Sequence, residues 1–115
     1  TVSSPNLNEN PPTSVSRNSS LSFSWSGGEA AEAFYIQLDG FSTSTSQFTG
    51  EVLLCRADDD GNVSIGSQHI SSITQADVVI VSVSRRVDSY WLLSANNSLG
   101  QASAIVYKIG MLSFQ

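Results

Sequence analysis

Cys55 and His69 are the only cysteine and the only histidine in the chain, and a thiol beside an imidazole is the smallest pairing that supports nucleophilic catalysis. Against that chemistry, Cys55 stands in mid-strand among apolar neighbours. A thiol there behaves as a small hydrophobe with a raised pKa, the reverse of an activated nucleophile. One histidine cannot build a two-histidine metal site, and no H-E-x-x-H pattern occurs. No G-x-S-x-G elbow and no glycine-rich phosphate loop is present, despite the abundance of serine. A hydrolase would need two convergent carboxylates, and nothing in the sequence pairs the lone acids Asp39 and Asp88 near strand ends. The residues therefore read as those of a non-enzyme, with no catalytic residue, no cofactor and no metal.

Two other groups could bind a ligand. Asp58-Asp59-Asp60 resembles a calcium run, but with Gly61 at the sixth loop position of an EF-hand, Arg56 falls at the first, where an acid belongs. The run is expected to be a solvated hairpin tip. The aromatics are the remaining resource. Tyr35 lies on the outward parity of its strand, and Tyr90 and Trp91 are adjacent, so on a strand they must point to opposite faces. Tyr35, Tyr90 and Trp91 are the candidate ligand or interface aromatics, suited to stacking sugar rings or to anchoring a protein contact. Asn18, Asn62 and Asn96 each open an N-x-S/T triplet, which a serine- and asparagine-rich composition also generates by chance.

The elements that would position these residues are strands. In Leu21-Ser22-Phe23-Ser24-Trp25-Ser26 large apolar residues alternate with serine, as a half-buried antiparallel strand requires. Phe34, Ile36 and Leu38 form the next inward set, with Tyr35, Gln37 and Asp39 outward. Phe41 to Gly50 reads as a short edge strand or a loop. Glu51 to Ala57 is apolar on both faces, with Leu53 and Cys55 taken as inward because Arg56 then meets solvent. Asp58 to Asn62 reads as a hairpin turn in which Gly61 supplies a positive φ, with Val63 and Ile65 continuing the partner strand. Ile70 and Ile73 predict one helical turn near residues 67–73. Val79, Val81 and Val83 resume the alternation, and Arg85-Arg86 close that strand. Tyr90 to Ser94 is a further short strand, and Asn96-Asn97-Ser98 a turn. Ile105, Tyr107 and Ile109 are odd and Leu112 and Phe114 even, so a β-bulge is expected at Gly110 or Met111.

About eight short strands predict an all-β antiparallel sandwich over residues 15–115. Residues 1–14 form a polar, proline-punctuated N-terminal extension. They serve either as an edge strand on their own domain or as a donor strand gripped by a neighbouring molecule. A single cysteine excludes an intramolecular disulfide. Ten carboxylates against five cations give a net charge of −5, which disfavours nucleic acid and anionic membrane surfaces as partners. The longest aliphatic run, Val78 to Val81, is far too short to span a bilayer as a helix. Few charges, at 13% of residues, among much serine and threonine suit an extracellular module.

Several segments together resemble a known family. Ser22-Phe23-Ser24-Trp25-Ser26-Gly27-Gly28, then Tyr35-Ile36-Gln37-Leu38, the lone-cysteine strand at Cys55, Gly61-Asn62-Val63-Ser64-Ile65 and the terminal Phe114-Gln115 are similar to the Ig-like C-terminal domain of secreted acidobacterial and myxobacterial proteins. The resemblance runs through residues 15–115 in order and implies secretion and an accessory Ig-like β-sandwich without catalytic residues. The functional expectation is a secreted, non-catalytic structural or adhesion module that acts through protein partners or copies of itself. Its sharper form is a self-assembling extracellular fibre subunit joined through the N-terminal strand. The alternative is a carbohydrate-binding module that uses the three aromatics on glycans.

Overall fold

The fold is given by a computed structural model that describes residues 2–26, 33–93 and 98–115, with side chains described at 2–26, 33–85 and 109–115. The expected turns at Gly27-Gly28 and at Asn96-Asn97 lie outside the described residues. Eight strands and one helical turn follow in order: β1 (Val2–Ser4), β2 (Thr13–Val15), β3 (Leu21–Trp25), β4 (Ala33–Ser42), β5 (Gln47–Asp58), β6 (Asn62–Ile65), α1 (Ser67–Ile70), β7 (Val78–Leu93) and β8 (Ser98–Phe114). They form two sheets, ordered β1-β3-β6 and β2-β8-β7-β4-β5. The chain is an all-β sandwich.

Alternation in the sequence becomes alternation in burial. Leu21, Phe23 and Trp25 are buried while Ser22 is exposed. Phe34, Ile36 and Leu38 are buried, with Tyr35, Gln37 and Asp39 on the opposite face. Phe23 from the smaller sheet and Ile36, Leu38, Val79 and Val81 from the larger are fully enclosed in one cluster. Each such side chain contributes about 1.5–3 kcal/mol on burial. Trp25 and Phe34 stack across the two sheets, ring centroids 3.9 Å apart and planes within 2°. The helical turn α1 buries Ile70, and Ile73 follows it into the core.

The N-terminal segment is used within its own chain and changes sheets. Val2–Ser4 pairs antiparallel with β3, and Thr13–Val15 pairs parallel with the end of β8. Between them Leu7 is buried. Its Cβ and carbonyl lie where a side chain at Gly110 would have to go.

Three strand expectations need correction. First, β8 pairs with β7 in unbroken register from Ser98 to Ser113, so there is no bulge at Gly110 or Met111. Parity never switches: Gly110, Leu112 and Phe114 face the core, and Ile109 is 66% exposed on the outside. The apparent switch came from an apolar outer face, not from an extra residue. Second, Arg85-Arg86 do not end β7, which runs on to Leu93 and absorbs the separate strand expected at Tyr90. Third, Asp58 to Asn62 does not close a hairpin: β5 pairs with β4 in one sheet and β6 with β3 in the other, so this turn carries the chain between sheets. Register shifts lie between Val2 and Ser4 of β1, and where Thr49, Gly50 and Glu51 of β5 bulge opposite Gly40, between the pairs Asp39–Val52 and Phe41–Phe48.

Past Arg86, the last β7 residue paired to β4, β7 and β8 continue as a two-stranded ribbon paired only to each other among the described residues. The seven pairs from Val87–Ala104 to Leu93–Ser98 would span about 23 Å. This extension accounts for dimensions of 58 × 27 × 27 Å.

Candidate functional site

The outer face of the five-stranded sheet is the first surface that could bind a partner. Cross-strand register places Phe48 beside Phe41 and Val78, Val52 beside Asp39 and Ile80, and Leu54 beside Gln37 and Ser82. Met111 and Ile109 of β8 continue the last two rows. Phe48, Val52, Leu54, Ile109 and Met111 are between 44% and 66% exposed. Phe41 and Phe48 meet edge to face with centroids 5.2 Å apart. Among the described side chains, the charges on this face are Asp39, held by two hydrogen bonds from the Gln37 amide at 3.1 and 3.2 Å, and Arg56 and Asp58 toward the end of β5. Together the five exposed side chains present on the order of 500 Å² of apolar surface, at the upper end for a monomer.

Tyr35 lies half-buried on this same face, register partner of Arg56 and Ser84. Tyr90 and Trp91 sit in the ribbon opposite Gln101 and Gly100, and their side chains lie outside the described ones. The structure does not bring the three together. Ser84 is six residues before Tyr90 on β7, so Tyr35 and Tyr90 are separated by about 20 Å along the strand. Asp39 is paired with Ile80 and Asp88 with Ser103. Those positions stand about 27 Å apart along β7, beyond the separation of a glycosidase carboxylate pair.

A second surface is the open side of the sandwich, where neither β5 nor β6 has a further strand beside it among the described residues. A cleft of about 490 Å³ lies here, lined by Leu53–Arg56 of β5, Ser64 and Ile65 of β6, and Gly66, Gln68 and His69. Cys55 and His69 thus share a cleft, as a dyad would require, but no hydrogen bond joins them. Burial pushes the Cys55 thiol up from its ordinary pKa, away from thiolate chemistry. Leu53 and Cys55 face inward as expected, half-buried.

The Asp58-Asp59-Asp60 run is not a uniformly solvated tip. Asp59 is 2% exposed. It accepts the Trp25 indole N–H at 2.5 Å and forms an ion pair with the Arg85 guanidinium. Arg85 also donates to the Ser26 carbonyl at 3.1 Å. Asp60 remains outside and accepts the Asn62 amide. No three or more metal-ligating side chains cluster among the described residues. Two further polar anchors escaped the sequence reading. Arg17 donates to the carbonyls of Ile73 and Ala76 at 2.5 and 2.8 Å. The Glu51 carboxylate accepts the amides of Thr74 at 2.7 Å and Ala76 at 3.0 Å.

No helix among the described residues is long and apolar enough to cross a membrane. No family model, curated protein or solved structure matches the chain.

Proposed function

We propose that this chain is a secreted, non-catalytic Ig-like module, structural or adhesive, that acts by contact with other proteins or with copies of itself. The observation that carries this reading is the apolar outer face of the five-stranded sheet. About 800 Å² per partner makes a standard protein interface, and the five exposed side chains alone supply more than half of it. The Ig-like assignment draws on the chain's order in the two sheets. The N-terminal segment pairs first with β3 and then parallel with β8, and β8-β7-β4-β5 faces β1-β3-β6. Secretion draws on the composition and the family resemblance. Because the N-terminal strands are used within their own fold, contact through the sheet face is favoured here over donation of the first strand.

The rival reading, a glycan-binding module, draws on Tyr35 and the Phe41–Phe48 pair on the same face. One set of measurements separates the two. A photo-crosslinking residue at Ile109 is expected to capture protein in the extracellular fraction, whereas the same probe at exposed Ser72 does not, and the Ile109→Lys variant loses the partner. Equal capture at both positions overturns the contact reading. Glycan-array binding that disappears in Tyr35→Ala establishes the rival instead.

A further inference from the structure

We propose that the open side between β5 and β6 is a peptide-binding groove, taking an extended, carboxylate-bearing segment of a partner protein as an added strand along β5. The first argument is geometric. Leu53, Leu54, Cys55 and Arg56 are consecutive, and all four line the cleft. Consecutive strand residues point to opposite faces, so only the backbone edge between those faces can present all four to one cavity. The wall is therefore the free edge of β5, whose outward N–H and C=O groups have no strand partner among the described residues. An extended chain laid there gains main-chain hydrogen bonds for affinity, while alternate side chains enter the groove for specificity.

The second argument is incomplete closure. Leu53, Cys55, Ala57 and Val63 face the core but are only partly buried, whereas Ile36 and Val81 deeper in the same cluster are fully enclosed. Apolar side chains from an incoming strand would complete that burial from the open side.

The third argument is charge, and it sets the chemistry of the occupant. The lining contains Arg56 and no carboxylate, on a chain of net charge −5. Arg17 is taken up by backbone carbonyls and Arg85 by Asp59. Arg56 is the guanidinium left without a partner among the described residues. Opposite charges facing each other across paired strands stabilise the pair and like charges oppose it. The groove therefore selects a segment with apolar residues at every second position, directed inward, and an acid on the other parity beside Arg56.

Two fluorescein-labelled peptides test this, each alternating valine with threonine, one carrying a central glutamate and the other a lysine. By anisotropy, the glutamate peptide is expected to bind about ten-fold tighter or more than its counterpart. Arg56→Glu should reverse the order, with thermal stability unchanged because position 56 is exposed. Bound peptide should slow amide exchange at alternate residues of 53–57 and leave 79–83 unaltered. Equal affinities, a preference that survives Arg56→Glu, or no slowing along β5 would overturn the proposal. So would protection of β5 that rises with protein concentration in the absence of peptide, since a second copy then holds that edge. Ile109→Lys, on β8 three strands away from the β5 edge, is expected to bind the peptides as the parent does, so failure of the sheet-face contact is read separately.

Discussion

Trp25 cannot be buried beneath Phe34 unless its indole N–H finds an acceptor, and Asp59 supplies it. That carboxylate is in turn tolerable in the interior only because Arg85 neutralises it. The three residues form one unit, so removing one strands the others. Asp59→Ala is expected to cost about 3–5 kcal/mol in urea unfolding, the range for breaking a buried pair. A double-mutant cycle with Arg85→Met should return a coupling energy above about 1 kcal/mol; additive losses would show that the two side chains act independently. Glu51 does comparable work nearer the surface. Burial pushes its pKa up, but the Thr49 hydroxyl and the amides of Thr74, Gln75 and Ala76 outweigh that and hold it below the ordinary value. A depressed carboxyl stabilises the fold above the unfolded pKa near 4.3 and loses that contribution as pH falls through the folded value. Glu51→Gln should therefore cost on the order of 1 kcal/mol at pH 7, after allowance for solvent screening. It should also flatten the decline of melting temperature between pH 5 and 3. An unchanged acid limb in the variant would assign that decline to other groups.

Among the elements, the docking of the N-terminal segment on β8 depends on the missing side chain at Gly110. A Cβ there would meet the Leu7 carbonyl at 2.6 Å and its Cα at 3.1 Å, so backbone must move. Gly110→Ala is expected to destabilise by about 1–3 kcal/mol, as overpacking does. Amide exchange should rise at Thr13–Val15 before it rises in β4 or β7. Uniform acceleration across both sheets would mean that the segment does not detach on its own. Strands whose two faces differ in polarity were legible in the sequence: β3, β4 and the first half of β7 carry the inward sets that alternation predicts. A turn with Gly61 at φ +100° is found at Asp58–Asn62, but it joins the two sheets and closes no hairpin, which the sequence could not show because alternation reports the faces of a strand and not its neighbour. Legibility failed where both faces are apolar, because period two then carries no sign. Alternation sets Ile109 with the inward residues for that reason, and only a bulge then reconciles it with Leu112. Asp59 was missed through composition, since three adjacent acids look alike until Trp25 and Arg85 are placed inward by their own parity. Arg85 follows Val79, Val81 and Val83 on the odd face, and a guanidinium there required a buried acid. The open groove beside β5 had no signal of its own, since an unpaired edge belongs to the order of strands and not to any residue.

The molecule as a whole is longer than its size requires. A compact chain of this length has a radius of gyration of about 13 Å, and this one measures 17.0 Å. The excess lies in the ribbon beyond Arg86, whose two strands have no third strand or covering layer among the described residues. Two-stranded ribbons are marginally stable in water, so residues 87–104 add little to the sandwich that carries them. Replacing 87–104 by an Asn-Gly turn that joins Arg86 to its register partner Ile105 should leave a folded protein, because that dipeptide closes a two-residue hairpin. By small-angle scattering its radius of gyration should fall to about 13–14 Å. Its stability should change by less than about 1 kcal/mol, since every described member of the core between the sheets is retained. A loss several times larger would show that the ribbon folds back on the sandwich and belongs to its core. Retained stability with an unchanged radius would place the elongation elsewhere in the chain.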